Sequence, residues 1–291
     1  MFEGFRTERI RANGVEIAAV VGGRGPGLLL LHGYPQTHAI WHKVAPRLAQ
    51  RYTVVATDLR GYGDSSKPPT TPDHAPYSKR EMARDQVEVM RALGFERFFL
   101  VGHDRGARVS HRLAADHPQA VVRATFLDIA PTLAMYEQTT QAFATAYWHW
   151  FFLIQPAPFP ESLIGADAVA FLRKKMGSGS AGLAPFTEAA WNEYARCFTH
   201  EAIHASCEDY RAAATMDLAH DRADRDAGRR VRAPLLVLWG AHGVIERCFR
   251  PLEDWRRVAE DVRGRALPAG HYLAEEVPDL DSAELEAFFE N

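Results

Sequence analysis

The segment 101–106, Val-Gly-His-Asp-Arg-Gly, comes directly after a short apolar run and directly before a helical pattern that begins at Ala107. Gly102 and Gly106 stand two residues before and two residues after Asp104. Small residues at these positions let a strand turn sharply into a helix, and the turn pushes the middle side chain into a pocket. The segment therefore predicts a nucleophile elbow with Asp104 as the nucleophile.

An aspartate at this position restricts the reaction. A carboxylate that attacks an acyl carbon gives an anhydride, which is a poor intermediate, whereas attack on an sp3 carbon gives an ordinary ester that water can cleave. An esterase has serine at the same place. Asp104 therefore predicts displacement at an alkyl carbon, as in a dehalogenase or an epoxide hydrolase.

The composition is typical of a soluble globular protein, with 47% hydrophobic and 24% charged residues. The 291 residues suffice for one domain with an insertion, or for two domains. A net charge of −3 gives no support for a nucleic-acid or membrane partner. Three widely spaced cysteines form no metal-binding pattern, and the first residues do not resemble a signal peptide. We therefore expect a cytoplasmic protein without a metal or other cofactor.

Short apolar runs alternate with helical patterns along much of the chain. Strands are predicted at 15–21, 28–31, 52–56, 98–101, 124–127 and 235–239. Helices are predicted at 41–50, 78–93, 107–117, 252–262 and 283–290. This alternation predicts an α/β fold with a mostly parallel sheet flanked by helices. Catalytic residues are then expected at the carboxyl ends of the strands.

The alternation is interrupted between about 134 and 218 by a segment rich in aromatic residues and helical patterns. We expect this segment to form an inserted helical cap that excludes water from the pocket, with 1–133 and 219–291 as the core. The run 217–232 carries many charges of both signs. It is predicted to be a solvated helix or linker that returns to the core.

A carboxylate nucleophile needs a base to activate water for cleavage of the ester, and His271 is the best candidate. It follows a predicted last strand, and the chain order of nucleophile, acid and histidine suits this fold. The histidine needs an acid to orient it. The loop 239–243 contains no acid, so Asp128 at the end of the strand 124–127 is predicted for this role. Glu246 is the weaker substitute.

The stretch 32–35, His-Gly-Tyr-Pro, follows the strand 28–31. Such a loop usually directs one backbone N–H into the pocket, here that of Tyr34, and the N–H of Arg105 is predicted to supply a second. These donors would hold Asp104 first. They would then stabilise the oxyanion that forms when water attacks the ester.

Arg105 and Arg108 share one face of the first turn after the nucleophile. Two guanidinium groups beside Asp104 suit a substrate carboxylate, which can accept paired hydrogen bonds, and they offset its repulsion from the aspartate. The pair therefore predicts a small anionic substrate. The alternative is that the two arginines pair with Asp128 or with acids of the cap.

These residues lie within longer stretches that resemble the fluoroacetate (haloacetate) dehalogenases of the α/β-hydrolase superfamily. The stretches are 31–36, 58–68, 103–108, 127–129, 147–150, 207–211 and 270–271. The resemblance covers nearly the whole chain and implies the α/β-hydrolase fold with an inserted cap. It also implies that Asp104 attacks the α-carbon of a haloacid while Arg105 and Arg108 hold its carboxylate.

The resemblance further implies a halide pocket whose hydrogen-bond donors are His149, Trp150 and Tyr210. Three donors suit fluoride, which is a poor leaving group unless its developing charge meets preorganised N–H and O–H groups. Taken alone, these residues would be interpreted as packing within the cap. The resemblance implies a homodimer as well.

An epoxide hydrolase is the nearest alternative because it shares the aspartate nucleophile. That chemistry usually needs two cap tyrosines, and an aromatic residue commonly follows the nucleophile where this chain has Arg105. A ligand-binding receptor on the same scaffold is a third possibility, which the complete set of Asp104, Asp128 and His271 argues against. The preference among fluoro-, chloro- and bromoacetate, and activity on larger or chiral 2-haloacids, stay open.

Overall fold

The computed structural model describes residues 1–179 and 181–290, which form an eight-stranded sheet with helices. The strands are β1 (Arg6–Ala12), β2 (Val15–Gly23), β3 (Gly27–Leu31), β4 (Thr53–Thr57), β5 (Phe98–His103), β6 (Val121–Leu127), β7 (Leu235–Gly240) and β8 (Val262–Leu267). Their order across the sheet is β1-β2-β4-β3-β5-β6-β7-β8. Strand β2 pairs antiparallel with β1 and β4, and the other neighbours pair in parallel. The predicted α/β architecture is confirmed.

Strand β3, near the centre of the sheet, has an apolar sequence throughout. All five of its residues are buried. Leu29 and Leu31 belong to one apolar cluster, and Leu28 and Leu30 belong to another. Successive side chains point to opposite faces of a strand, so both faces of the sheet are covered.

Helices flank the sheet and fill the interval between β6 and β7. Up to β6 they are α1 (Ala45–Leu48), α2 (Lys79–Ala92) and α3 (Arg105–Asp116), with 3-10 turns at His38–Lys43 and Ala75–Tyr77. Between β6 and β7 they are α4 (Thr132–Glu137), α5 (Gln141–Ala146), α6 (His149–Phe152), α7 (Phe159–Ala166), α8 (Ala168–Met176), α9 (Glu188–Cys197), α10 (His200–Ala212) and α11 (Leu218–Asp226), with a π-helical turn at Ala213–Asp217. After β7 they are α12 (Val244–Cys248), α13 (Pro251–Arg256), α14 (Leu273–Glu276) and α15 (Pro278–Glu290). None of the described helices is both long and apolar enough to cross a membrane.

Two predicted segments differ from the structure. The helix predicted at 252–262 is wrong in its second half, because α13 ends at Arg256 and β8 begins at Val262. The charged run 217–232 does contain a helix, but it is not simply solvated. Asp217 and Asp224 within it are buried, and Asp224 accepts a hydrogen bond from Arg112 of the elbow helix α3. Sequence patterning alone does not reveal such distant charge partners.

The predicted elbow is present between β5 and α3. Strand β5 ends at His103 and helix α3 begins at Arg105. Asp104 connects them with φ 49° and ψ −115°, a strained conformation for a residue with a side chain. The helix can start so abruptly because Gly106 lies against β3. A Cβ atom built on Gly106 would be 2.4 Å from the carbonyl oxygens of Leu31 and His32.

We predict that Gly106→Ala lowers the free energy of unfolding by about 1–3 kcal/mol, because backbone atoms would have to move. Gly165→Ala in α7 is the matched control, since nothing lies within 4 Å of its added methyl group. Alanine favours a helix, so this control should be neutral or slightly more stable. Urea titration of both variants measures the difference. Equal stability of the two would contradict the close contact between α3 and β3.

Candidate active site

Asp104, Asp128 and His271 come together at one edge of the sheet, where β5, β6 and β8 end. The His271 Nδ1–H group donates to Asp128 Oδ2 over 2.6 Å. His271 Nε2 faces Asp104 Oδ2 at 3.7 Å. With its proton on Nδ1, the neutral ring presents a basic Nε2 toward the carboxylate of Asp104. The three residues predicted as catalytic thus form one chain of contacts.

Asp128 is fully buried and has fixed partners for both oxygens. Its Oδ1 accepts the backbone N–H of Gly240 at 2.9 Å, and its Oδ2 accepts from His271. Burial raises the pKa of Asp128, and the hydrogen bond from His271 acts in the opposite direction. Glu246, the alternative acid, instead accepts a hydrogen bond from the indole of Trp239. The geometry favours Asp128 as the partner of His271.

The loop after β3 contacts the nucleophile directly. The backbone N–H of Tyr34 donates to Asp104 Oδ1 over 2.9 Å. A Cβ atom on Gly33 would lie 2.4 Å from Asp104 Cβ, so only glycine allows this approach. The N–H of Arg105 is at the first position of α3, where backbone donors have no partner within the helix. One of the two predicted oxyanion donors therefore contacts Asp104, and the other begins the adjoining helix.

Asp104 stays ionised although it is buried. Burial alone would raise its pKa, but His271, His103 and then the two arginines lower the pKa of Asp104 to about 2. An ionised carboxylate is the form that can act as a nucleophile. Of these groups, Arg105 and Arg108 are charged at neutral pH, and they help to keep Asp104 ionised and reactive.

Arg105 and Arg108 are both buried, and each keeps one donor free. Arg105 donates to Asp209 of α10 from Nε over 3.0 Å and from Nη2 over 2.6 Å. Arg108 Nη1 donates to Thr132 Oγ1 over 2.8 Å, and its Nη2 is 3.1 Å from the sulfur of Met135. Arg105 Nη1 and Arg108 Nε have no partner among the described residues. Arg105 thus pairs with an acid of the segment that was predicted to form a cap, and its Nη1 still has no partner among the described residues.

His149, Trp150 and Tyr210 are buried beside the two arginines. The Arg105 guanidinium carbon lies 4.0 Å from the centre of the Tyr210 ring, and that of Arg108 lies 4.6 Å from the centre of the Trp150 ring. Trp150 Nε1 and the Tyr210 hydroxyl have no partner in the described part of the chain. Burial lowers the pKa of His149 well below its usual range, so this ring is neutral.

Asp209 on α10 is a residue of this site that the sequence analysis quoted in a motif but gave no role. Besides Arg105, it accepts hydrogen bonds from the Tyr62 hydroxyl over 2.6 Å and from the amine of Lys79. Burial would raise its pKa, but Arg105 and then Lys79 hold the pKa of Asp209 well below its ordinary value. A single carboxylate therefore fixes a helix of the core to a helix between β6 and β7.

His103 and Tyr147 are two further residues without a predicted role. His103 Nε2 lies 2.8 Å from the carbonyl oxygen of His271, which positions the loop after β8. Burial lowers the pKa of His103 to about 3, so the ring is neutral and donates from Nε2. The Tyr147 hydroxyl lies 3.4 Å from His271 Nδ1. His103 adjoins Asp104 and Tyr147 lies two residues before His149 in the quoted motifs, which was the only signal in the sequence.

Comparison with known proteins gives the family. Residues 26–276 match the family model of the alpha/beta hydrolase fold. The chain belongs to the alpha/beta hydrolase fold family. This hydrolase is 49% identical to a fluoroacetate dehalogenase from Burkholderia sp over 281 aligned residues. The alignment covers 96% of this chain and 92% of that protein. The resemblance that the motifs indicated is thereby confirmed.

Other relatives of this hydrolase include epoxide hydrolases. It is 32% identical to the soluble epoxide hydrolase of Corynebacterium sp. (strain C12), over 92% of this chain and 91% of the relative. Among solved structures, that of ALR0039 from Nostoc sp PCC 7120 superimposes with a TM-score of 0.97 and 54% identity, over 99% of both chains. Cfl2 from Burkholderia cenocepacia gives a TM-score of 0.90 and 30% identity, over 98% of this chain and 96% of that one.

We predict that Asp209→Asn destabilises this hydrolase by about 3–5 kcal/mol, since it leaves two buried cations without a counter-charge. Adding Lys79→Met should restore part of the loss, which urea titration of the single and double variants measures. The effect should depend on pH. The folded-state pKa of Asp209 is lowered, so its stabilisation is complete above the unfolded value of about 4 and declines as the pH falls toward the folded value. No rescue by Lys79→Met would contradict the shared role of this carboxylate.

Proposed function

We propose that the protein hydrolyses small 2-haloacids of the haloacetate type to a 2-hydroxyacid and a halide ion. One observation carries the proposal. Among the buried donors that lack partners in the described residues, four belong to the groups predicted to bind the carboxylate and the halide, namely Arg105 Nη1, Arg108 Nε, Trp150 Nε1 and the Tyr210 hydroxyl. Buried donors without partners are costly, so their presence in a site indicates a ligand with acceptors. A haloacetate offers a carboxylate to the arginines and a halogen to the other two, and the 49% identical fluoroacetate dehalogenase supports this choice.

In the first step, a carboxylate oxygen of Asp104 attacks the α-carbon while the carbon–halogen bond breaks. The products of this step are an ester on Asp104 and a halide ion. Arg105 and Arg108 would hold the substrate carboxylate in line for attack, since charge-assisted hydrogen bonds fix both its position and its orientation. Their positive charge offsets the repulsion between two anions.

The departing halide carries the charge that develops in this step. The indole N–H of Trp150, the hydroxyl of Tyr210 and one N–H of His149 would donate hydrogen bonds to it. Because all three side chains are buried, their dipoles act in a medium that screens them weakly. Fluoride gains most from such donors because its charge is the most concentrated.

In the second step, water attacks the carbonyl carbon of the ester. His271 Nε2 takes the proton from the water, and Asp128 stabilises the imidazolium that results. The backbone N–H groups of Tyr34 and Arg105 would stabilise the tetrahedral oxyanion. Collapse of this intermediate breaks the bond to the alkoxide oxygen, which takes the proton from His271 and leaves as the 2-hydroxyacid. The second proton of the water is lost from Asp104 to solvent, which regenerates the carboxylate.

The residues of the proposed site come from two parts of the chain that have different roles. Residues 1–133 and 219–291 contribute the proposed nucleophile, the base and the acid that orients the base. Residues 134–218 contribute the proposed halide donors. We therefore propose that 134–218 act as a cap over the core. Two further proposals extend the resemblance, a cytoplasmic location and a homodimer.

Epoxide hydrolysis is the second candidate, favoured by the 32% identical soluble epoxide hydrolase. Tyr210 and Tyr147 both lie near the catalytic residues, and such hydroxyls would suit an epoxide oxygen. The unpartnered donors of Arg105 and Arg108 instead favour an anion. Parallel assays with chloroacetate and styrene oxide discriminate the two. Turnover of styrene oxide alone would replace the dehalogenase proposal.

We predict that His271→Asn permits the first step but blocks the second, because His271 serves only to activate water. Incubation with chloroacetate should release about one chloride per site. Mass spectrometry should then locate a covalent adduct on Asp104. Asp104→Asn is the control and should give neither chloride nor adduct. A chloride burst without any adduct would contradict the two-step mechanism.

We predict that Trp150→Phe reduces kcat/KM much more for fluoroacetate than for bromoacetate. The substitution keeps an aromatic ring and removes one N–H donor, a loss of roughly 1.5–3 kcal/mol for a hydrogen bond to a charged group. That range corresponds to about 10- to 200-fold for fluoride and should be smaller for bromide, the better leaving group. The measurement is the ratio of kcat/KM for the two substrates on folded protein. An unchanged ratio would mean that Trp150 only packs.

A further inference from the structure

A cavity of about 500 Å3 opens beside the proposed catalytic residues. His149 and His271 form its inner wall, so the cavity reaches both the halide donors and the base. Its outer wall comes from the end of α8 and from the loops and helix that follow β7. None of the steps described above uses this space or the charged side chains that surround it.

The walls of this cavity carry positive charge only. Lys174, Lys175 and Arg247 line it, and its described lining contains no aspartate or glutamate. None of the three forms an ion pair with a described residue. The chain as a whole has a net charge of −3, so the distribution is not a consequence of a basic composition.

Lys175 stands out among the three because it is only 9% exposed. Its amine makes no hydrogen bond to any described residue. Burial lowers the pKa of Lys175 to about 8, while the charge of Asp104 raises it, so the amine stays protonated at neutral pH. Lys175 lines the cavity without a counter-charge, so its amine offers a binding partner to an anion that enters there.

We infer that this cavity is an anion-binding entry chamber, in which Lys175 binds small monovalent anions on their way to or from Asp104. Two such anions follow from the proposed function, on which this assignment of their identity rests. They are the carboxylate of the incoming haloacid and the halide ion that departs. Concentrated positive charge along a cleft raises the local concentration of anions, so it favours capture of the haloacid and binding of the halide.

Lys175→Met tests the role of the charge, because methionine retains the length and the apolar stem of the buried side chain. The KM for chloroacetate should rise roughly tenfold, as expected for one charge acting across a partly buried site, with kcat little changed. The KM for chloroacetamide, which is neutral, should stay within about twofold by the same reasoning. Arg97→Gln is the control, since Arg97 is exposed, forms no ion pair with a described residue, and precedes β5 at the opposite end of the strand from Asp104.

Inhibition by bromide shows which anion Lys175 binds, the carboxylate of the incoming haloacid or the departing halide. A weaker inhibition in Lys175→Met, with KM for chloroacetate unchanged, would assign the chamber to halide release. A change in KM alone would assign it to substrate entry. Equal changes for chloroacetate and chloroacetamide would overturn the inference, because Lys175 would then act only through packing. Unchanged values for both substrates and for bromide would overturn it as well.

A second measurement does not require turnover. Trp148 lines the same cavity and is 39% exposed, so its fluorescence reports anions that collect there. Quenching by iodide should be weaker in Lys175→Met than in the unmodified protein, whereas quenching by neutral acrylamide should be equal in both. If iodide quenching responds in this way but no haloacid is hydrolysed, the proposed reaction fails and the anion chamber stands. If haloacids are hydrolysed and iodide quenching is unaffected, the chamber fails alone.

Discussion

The guanidinium of Arg105 and the carboxylate of Asp209 meet where neither side chain has any contact with solvent. This pair joins α3, the helix that starts at the nucleophile, to α10, the helix that carries Tyr210. Buried ion pairs contribute little net stability, but removing one partner is strongly destabilising. The pair therefore acts mainly by fixing the positions of these two helices relative to each other. It fixes the spacing between the helix that begins after Asp104 and the helix that carries Tyr210, and it leaves Arg105 Nη1 without a partner among the described residues.

The central strands could be predicted because a parallel sheet covered on both faces leaves an unbroken apolar run, as in β3. Edge strands give a weaker signal. Strand β1 (Arg6–Ala12) was not predicted, since most of its residues are at least partly exposed and several are charged. A last strand before His271 was predicted without bounds, and β8 (Val262–Leu267) gives a weak signal for a similar reason, because arginines alternate with small residues along it. Its true start also explains why the helix predicted before it was too long.

The identities of the proposed catalytic residues could be predicted because each follows a strand, and the carboxyl ends of parallel strands share one edge. The residues that support them could not. Arg105 and Asp209 are 104 residues apart, and no local pattern reveals which of several acids a buried arginine selects. Lys175 is a comparable case. From sequence alone, a lysine near the end of a helix is predicted to be solvated. Lys175 is buried only because other parts of the chain pack around it.

The proposed catalytic groups also differ in when they can assemble during folding. His271 lies 143 residues from Asp128 along the chain and reaches it only after β7 and β8 have joined β6 at the edge of the sheet. Contacts with long separations form slowly because closing a large loop costs entropy. The loop with Tyr34 follows β3, and Asp104 follows β5. These two strands are neighbours near the middle of the sheet. In refolding, covalent labelling of Asp104 would thus require the central strands and the helices between β6 and β7, whereas complete turnover would also require β8 and the loop that carries His271.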